Sequence, residues 1–241
     1  MIVGEEGIHI KPLYLILMKN HLGNVKQCKT LIRHGKVIIN GKIINDEKYR
    51  VKNEDIITVN GKLIDTSPFY YYMMNKPQGY ICASKDDHDH CVMELIDCQD
   101  GFCVGRLDKN TTGFLLISND ASLQKKLLHP LYHVEKTYYV ETLKPIESRV
   151  VNAFHQGIII DQKRRCLPAK LSLIDEYHCY VTIYEGKYHQ VKKMFLSCQN
   201  QVIRLHRVSF AGVTLDASLQ EGEFRHLTQQ EFQKMKDQYS F

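Results

Sequence analysis

A single aspartate stands in a short polar turn that could present a lone carboxylate for catalysis. Residues 105–113 read Gly-Arg-Leu-Asp-Lys-Asn-Thr-Thr-Gly, and the apolar residues 114–117 that follow are typical of a buried strand. Asp108 is therefore held beside a rigid element, with Arg106 two positions before it. A carboxylate so placed can act as a nucleophile. An aspartate in a turn rich in glycine and threonine is also a common capping residue, and the turn alone allows either role.

Basic residues are concentrated in two stretches of the chain. The formal net charge is only +5, but residues 19–42 contain six Lys or Arg and residues 187–207 contain five, and neither stretch contains Asp or Glu. Two acid-free basic stretches can form one surface for a polyanion such as RNA. The common alternative is a solvated charged face that binds nothing.

Size and composition exclude several classes of protein. The chain has 241 residues, which suffice for one or two domains, and no run of about 18 apolar residues that would predict a membrane span. The first ten residues carry Glu5 and Glu6 and no apolar signal segment, so we expect a cytoplasmic protein. The eight cysteines include no Cys-x-x-Cys pair, which predicts neither a disulfide framework nor a zinc site.

The N-terminal region predicts a short helix followed by hairpins. Apolar residues at helical spacing, with basic residues on the other faces, indicate an amphipathic helix that Gly35 would end. Its apolar positions are Val25, Cys28, Leu31 and Ile32. Two β-branched runs joined by Asn40 and Gly41 then predict a hairpin, and residues 60–61 repeat the Asn-Gly turn.

A break at residues 65–68, Asp-Thr-Ser-Pro, predicts the domain boundary and divides the chain into domains 1–66 and 67–241. Beyond it, strand-like and helix-like segments alternate irregularly, which favours an α+β domain. The predicted strands are 69–74, 114–117, 137–142, 178–183 and 202–207. The predicted helices are 121–128, 148–157, 190–198 and 229–238.

Several segments resemble the pseudouridine synthases that modify ribosomal RNA. Residues 105–113 match the family pattern Gly-Arg-Leu-Asp, two variable residues, Thr, one variable residue and Gly. The other matching segments are 75–80, 135–138, 185–195, 205–207, 212–215 and 222–228, so the resemblance covers nearly the whole chain. It implies a mixed, mainly antiparallel β-sheet with flanking helices and an isomerase that requires no cofactor and no metal.

The resemblance also implies roles for individual residues. Asp108 matches the catalytic aspartate, and Lys192 matches the basic residue that pairs with it. Tyr138 matches the tyrosine that stacks on the flipped uracil and helps to remove the proton at carbon five. Arg106 would displace the base from its stack. Val191 would make an apolar contact to the base.

Simpler roles exist for two of these residues. Spacing alone does not distinguish Lys192 from its equally basic neighbours Lys187 and Lys193. Only the resemblance favours Lys192. Tyr139 lies beside Tyr138, and the alternation of a strand sends the two side chains to opposite faces. One tyrosine therefore points away from the site.

The N-terminal helix and hairpin resemble the small RNA-binding module of ribosomal protein S-four. Residues 12–17 depart from it, because they lack the Arg-Leu-Asp-Lys with which that module usually opens. A module of this kind holds phosphates and RNA shape rather than base sequence. The basic residues expected to bind RNA are Lys26, Lys29, Arg33, Lys36, Lys42, Lys187, Lys193 and Arg207.

The combination of motifs looks most like the branch of the family that acts on small-subunit ribosomal RNA. It implies a monomer whose target is the uridine conventionally numbered 516 in 16S rRNA, either in free RNA or in an assembly intermediate. A 23S rRNA synthase of the same family and a non-catalytic ribosome-assembly protein are the alternatives. Whether the aspartate attacks the ribose or takes its neighbouring proton to form a glycal stays open.

Residues 86–91, Asp-Asp-His-Asp-His-Cys, crowd together side chains that can bind metals. Adjacent residues rarely all point at one ion, and the corresponding family segment is a polar loop. We therefore predict no metal site there. The sequence contains no nucleophile signature that would support a Cys/His hydrolase.

Overall fold

The computed structural model describes residues 11–20, 22–52, 55–66, 69–98 and 100–239. Residues 1–10 and the Ser67-Pro68 part of the predicted break lie outside this description. The chain forms two compact units: the first extends to Phe69 and includes residues 120–122, and the second comprises residues 70–119 and the residues from Leu123 onward. None of the described helices is long and apolar enough to cross a membrane.

The described part of the first unit contains two helices and two small sheets. Its elements are β1 (Lys11–Pro12), α1 (Leu13–Lys19), α2 (Val25–Arg33), β2 (Val37–Ile39), β3 (Lys42–Ile44), β4 (Arg50–Val51), β5 (Ile57–Val59) and β6 (Lys62–Leu63). Four strands form an antiparallel sheet in the order β3-β2-β5-β6, and β1 pairs with β4. The predicted amphipathic helix and both Asn-Gly hairpins are present.

Local sequence explains where helix α2 and the first hairpin begin and end. The Asn24 side chain accepts a hydrogen bond from the Gln27 backbone N–H at 3.0 Å, and the Gln27 side chain accepts one from the Asn24 N–H at 2.9 Å. This reciprocal cap satisfies two free N–H groups of the first turn. Asn40 and Gly41 have φ of 50° and 79°, as a tight hairpin turn requires.

Helix α1 is an element that the sequence did not predict. Its residues are apolar at almost every position, so they show no amphipathic period. Leu13, Ile16 and Leu17 are buried in the core of the first unit, together with Cys28 and Ile32 of α2. Tertiary burial, rather than local pattern, accounts for this helix.

The described part of the second unit is built on one large sheet with flanking helices and has one separate two-stranded sheet. Its strands are β7 (Tyr71–Lys76), β8 (Phe102–Val104), β9 (Thr112–Ser118), β10 (Lys136–Thr142), β11 (Ile159–Ile160), β12 (Arg164–Arg165), β13 (Lys170–Leu173), β14 (His178–Ile183), β15 (Val202–Phe210), β16 (Val213–Thr214) and β17 (Phe224–His226). Its helices are α3 (Ala121–Leu128), α4 (Ser148–Gln156), α5 (Gln190–Ser197) and α6 (Gln229–Tyr239), with 3-10 turns at Val92–Leu95 and Pro130–Tyr132.

The large sheet has the order β13-β14-β10-β15-β9-β7-β17, with β16 beside β15 and β8 beside β9. Its described pairs are antiparallel except β15 with β9, which run parallel. The fold is thus mixed, mainly antiparallel α+β, as expected. The four long helices predicted from the sequence all form, with ends within one residue of the predicted positions.

Two hydrophobic cores cover opposite faces of the sheet. Leu115 and Ile117 of β9 pack into the core that also holds α4 and α5. Phe114 and Leu116 of the same strand pack into the core that holds α3 and α6. A strand buried on both faces has a continuous apolar sequence, which is why residues 114–117 carry no alternation. The central strand is therefore a rigid support for the turn that precedes it.

Candidate active site

A cavity of about 680 Å³ opens in the second unit beside the polar turn of residues 105–113. Its walls come from this turn, from β10 and β15, and from the loop that leads into α5. Asp108 lies on the wall of the cavity, with 26% of its side chain exposed. The turn closes on itself, because the Asp108 carbonyl accepts a hydrogen bond from the Thr111 N–H at 3.0 Å.

A buried lysine holds the turn in place. Lys76, at the end of β7, is fully buried, and its ammonium donates to the carbonyls of Thr111 at 3.0 Å and Pro77 at 2.8 Å. The Gly79 N–H also donates to the Lys109 carbonyl at 2.9 Å. Burial lowers the pKa of Lys76, while neighbouring Cys82 and Asp108 oppose that shift. Hydrogen bonds thus connect two of the family-like segments, 75–80 and 105–113.

The last glycine of the turn allows a close approach of two strands. Gly113 has φ of +101°, and a Cβ there would lie 2.4 Å from the Arg207 carbonyl oxygen. Gly113 pairs with Arg207 in the parallel β9–β15 ladder. Any larger residue would push β15 away from the turn, so glycine at this position brings β15 to the wall of the cavity.

Asp108 contacts two residues that flank the start of α5. Lys192 Nζ lies 3.0 Å from Asp108 Oδ2, and His189 Nε2 lies 3.5 Å from Asp108 Oδ1. His189 precedes the helix in a left-handed conformation, with φ of 53°. Sequence reasoning does not single out His189, because its partner Asp108 lies far away in the chain.

The three neighbouring lysines have different partners. Lys192 meets Asp108, whereas Lys193 forms an ion pair with Asp161 at 2.7 Å and Lys187 forms one with Glu185. Lys187 precedes α5, and the adjacent Lys192 and Lys193 point in different directions from the helix. Composition and spacing do not distinguish these three partners.

The two adjacent tyrosines of β10 point to opposite faces. Tyr138 is 7% exposed and lines the cavity, as does buried Val191 of α5. Tyr139 lies on the other face, where its ring stacks on His178 with centroids 5.8 Å apart. Of the two, the structure places Tyr138 with Asp108 and Val191.

Arg106 and Leu107 also diverge. Arg106 is exposed and lines the cavity, whereas Leu107 is buried and its N–H donates to Cys82 Sγ at 3.2 Å. A hydrogen bond with Cys103 lowers the pKa of the Cys82 thiol, and the Leu107 N–H acts in the same direction. Cys82 thus contacts the turn that carries Asp108, a position that its sequence context did not indicate.

The charge of residues 187–207 predicts that Arg207 lies on an exposed basic surface. The structure shows that it does not. It is 1% exposed, and its Nε donates to the Phe114 carbonyl at 2.7 Å. The alternation of β15 turns Leu205 and Arg207 toward the interior, while Arg204 is exposed. A contact of Arg207 with RNA can therefore occur only inside the cavity that it lines.

Comparison with known proteins decides the family. A model described as RNA pseudouridylate synthase matches residues 70–197, more than half of the chain, and one described as S4 domain matches residues 19–57. The chain belongs to the RNA pseudouridylate synthase family. Both resemblances seen in the sequence motifs are confirmed.

Individual relatives align with this pseudouridine synthase over most of their length. A Haemophilus influenzae protein named ribosomal small subunit pseudouridine synthase A is 37% identical over 87% of this chain and 92% of its own. A Bacillus subtilis protein named uncharacterized RNA pseudouridine synthase YtzG is 37% identical over 92% of this chain and 97% of its own. A crystal structure of a pseudouridylate synthase has a TM-score of 0.69 and 36% identity, over 93% of this chain and 99% of that one.

The basic residues of the S4 domain differ in their freedom to bind phosphate. Lys29 and Arg33 approach Glu47 at 3.9 and 2.9 Å. The other three expected contacts have exposed side chains; these are Lys26, Lys36 and Lys42. Exposed cations on a helix and hairpin suit binding to an RNA backbone.

The polar loop at residues 86–91 has its own internal contacts. The Asp86 carboxylate accepts hydrogen bonds from the backbone N–H groups of His88 and Asp89 at 2.9 and 3.0 Å, and Asp89 also pairs with Lys109. Within the described residues, no three His, Cys, Asp or Glu side chains are arranged to hold a metal ion.

Proposed function

We propose that this pseudouridine synthase modifies 16S ribosomal RNA at the uridine conventionally numbered 516, with Asp108 as the nucleophile. The observation that carries the catalytic assignment is the 3.0 Å ion pair between Asp108 and Lys192 on the wall of the cavity that Tyr138 lines. The name of the Haemophilus influenzae relative supports the small-subunit substrate.

The reaction breaks the bond from ribose C1′ to uracil N1 and forms a bond from C1′ to uracil C5. Asp108 either attacks C1′ or takes the proton of C2′ to give a glycal, and both routes require a carboxylate. The Lys192 ammonium stabilises that negative charge at hydrogen-bond distance. The reaction is a rearrangement, so it needs no redox partner.

The target base must leave its stack to reach Asp108, at a cost of a few kcal/mol. Arg106 is exposed and lines the cavity, which supports the expectation that it occupies the position that the base leaves. Tyr138 would stack on the extruded uracil and assist removal of the C5 proton, and Val191 would contact its apolar face. The S4 domain would hold the surrounding RNA by contacts to its phosphates, for example from the exposed Lys26 side chain.

Chemical mapping of pseudouridine tests the proposal. We expect the wild-type protein to modify 16S rRNA at uridine 516, in free RNA or in an assembly intermediate, and Asp108→Asn to abolish modification while RNA binding persists. Asp161→Asn is the control, because that carboxylate pairs with Lys193 at 2.7 Å. Modification of 23S rRNA instead would refute the substrate assignment.

A wild-type protein that binds rRNA but modifies neither subunit would instead be a non-catalytic assembly factor. We further expect a monomer, since one chain supplies all the residues named in the reaction, and we propose a cytoplasmic location. Light scattering of the protein alone and with RNA measures this stoichiometry.

A further inference from the structure

The buried wall of the cavity contains a cation with an unused donor. Arg207 is 1% exposed and its Nε is engaged by the Phe114 carbonyl, but its Nη2 is enclosed and has no hydrogen-bond partner among the described residues. A buried donor without an acceptor is unfavourable, so this donor is available to an acceptor that enters the cavity.

A second enclosed polar atom lines the same cavity. Thr111 Oγ1, in the turn that carries Asp108, also lacks a partner within the described part of the chain. Hydroxyl and guanidinium groups both donate to carbonyl oxygens. The wall therefore offers donors that the protein itself leaves unused.

The position of Arg207 follows from the strand register. Arg207 on β15 lies directly opposite Tyr138 on β10. Opposite residues of an antiparallel pair share a face, with Cβ atoms about 5 Å apart. A uracil stacked on Tyr138, as the proposed function requires, would therefore have its edge beside the Arg207 guanidinium.

The local field at this wall is positive. Lys136, two residues before Tyr138, also lines the cavity, and burial together with the nearby Arg207 charge lowers the pKa of Lys136 to about 8. The Phe210 ring contacts both cations, at 5.0 Å from Arg207 and 5.6 Å from Lys136. Glu185 is the acidic group that acts on Lys136 in the opposite direction. Such a wall favours a substrate group that carries or develops negative charge.

We propose that Arg207 is a catalytic residue of the pseudouridine synthase reaction: its Nη2 donates to a carbonyl oxygen of the target uracil and stabilises the anion formed when the base separates from ribose. A backbone phosphate would have to enter the buried wall to reach the same atom. The base, extruded into the cavity, is the part of the substrate that enters. This inference rests on the proposed function and identifies a further group in it.

The charge balance requires such a group. When the C1′–N1 bond breaks, its electron pair stays on uracil and spreads onto O2 and O4, while Asp108 either bonds to C1′ or holds the C2′ proton. When C5 bonds to C1′, Asp108 either leaves C1′ or returns its proton to C2′, and it is a carboxylate again in both cases. The C5 proton is then lost and N1 gains one, so no oxidant, reductant or co-reactant is consumed.

Leaving-group chemistry tests this role under single-turnover conditions. Fluorine at C5 stabilises the uracil anion, so a 5-fluorouridine target should depend less on Arg207. We expect Arg207→Gln to slow consumption of a uridine target roughly 100- to 1,000-fold and of a 5-fluorouridine target at least about 10-fold less severely. Arg204→Gln is the matched control on the same strand, where exposed Arg204 contacts Tyr139 on the opposite face. Equal losses on both targets would overturn the proposal.

A second variant keeps the test decisive if Arg207→Gln fails to fold. Arg207→Lys keeps a positive charge in the buried wall but removes the fork of guanidinium donors, so it should slow a uridine target at least about 3-fold more than a 5-fluorouridine target. Equal slowing of the two targets would refute the proposal. The RNA is the rRNA that mapping identifies. Normal wild-type turnover combined with equal losses of the variants on both targets rejects only this inference, whereas absence of wild-type turnover on both rRNAs rejects the proposed function itself.

Discussion

Lys192 Nζ lies 3.0 Å from Asp108 Oδ2, although 84 positions of sequence separate the two residues. The aspartate is held by a turn clamped to Lys76, and the lysine lies in the first turn of α5. Both charges are therefore carried by supports with their own buried contacts. The pair is placed before any RNA binds, which is the arrangement expected of a preorganised site.

Replacing Lys192 should impair chemistry more than RNA binding. We expect Lys192→Met to reduce kcat roughly 100- to 1,000-fold, because the carboxylate then lacks its ammonium partner. Lys192→Arg should retain more activity, since it keeps the charge. Lys170→Met, an exposed lysine of β13, is the control. Single-turnover pseudouridine formation measures the effect, and a Lys192→Met protein of normal kcat would contradict it.

Lys76 should contribute to stability through the carbonyls that it binds. Lys76→Met leaves the buried carbonyls of Thr111 and Pro77 without their donor, and we expect a loss of about 2–4 kcal/mol in the free energy of unfolding. Lys109→Met removes a half-exposed ion pair with Asp89 and should cost less than about 1 kcal/mol. Urea denaturation of both variants measures this. Similar losses in the two would refute the clamping role of Lys76.

Gly113 should tolerate no side chain. In Gly113→Ala the new methyl group would lie 2.4 Å from the Arg207 carbonyl oxygen, at φ of +101°. We expect a loss of about 2–4 kcal/mol in unfolding free energy and a fall in activity, because β15 and the turn must separate. Gly186→Ala meets no atom within 4 Å and should change stability by less than about 1 kcal/mol. Calorimetry of both proteins checks the contrast.

Lys136 should make stability depend on pH. Burial, then the charge of Arg207, lowers its pKa from 10.5 to about 8. Below about pH 8 the lysine is charged in both folded and unfolded chains, and folding carries the full cost of burying that charge. Between about pH 8 and 10.5 the unfolded chain binds more protons, so the free energy of unfolding rises with pH.

Lys136→Met lacks this dependence. Relative to the wild type, its unfolding free energy should decline by on the order of 2–3 kcal/mol between about pH 7 and pH 10. Urea denaturation across this range measures the difference, with Lys170→Met as the exposed control. A difference that stays constant over the range would contradict the assigned pKa.

The sequence by itself determined the elements and the family. Apolar period, Asn-Gly turns and the motif at residues 105–113 are local signals, and the α2 helix, the first hairpin and the long helices of the second unit appear where those signals lie. Helix α1 was missed because its apolar sequence lacks a period, and strands of two to four residues such as β11, β13 and β17 carry too little pattern to be recognised.

Only the tertiary structure decided which side chains meet. Lys187, Lys192 and Lys193 are the same residue type in one short segment, but of the three only Lys192, on α5, meets Asp108. Arg207 belongs to a basic stretch that predicts an exposed RNA contact, yet the alternation of β15 buries it beside Tyr138. Charge and periodicity are properties of neighbouring residues in the chain. Contacts between Asp108 and α5, or between β10 and β15, depend on long-range packing that no local pattern encodes.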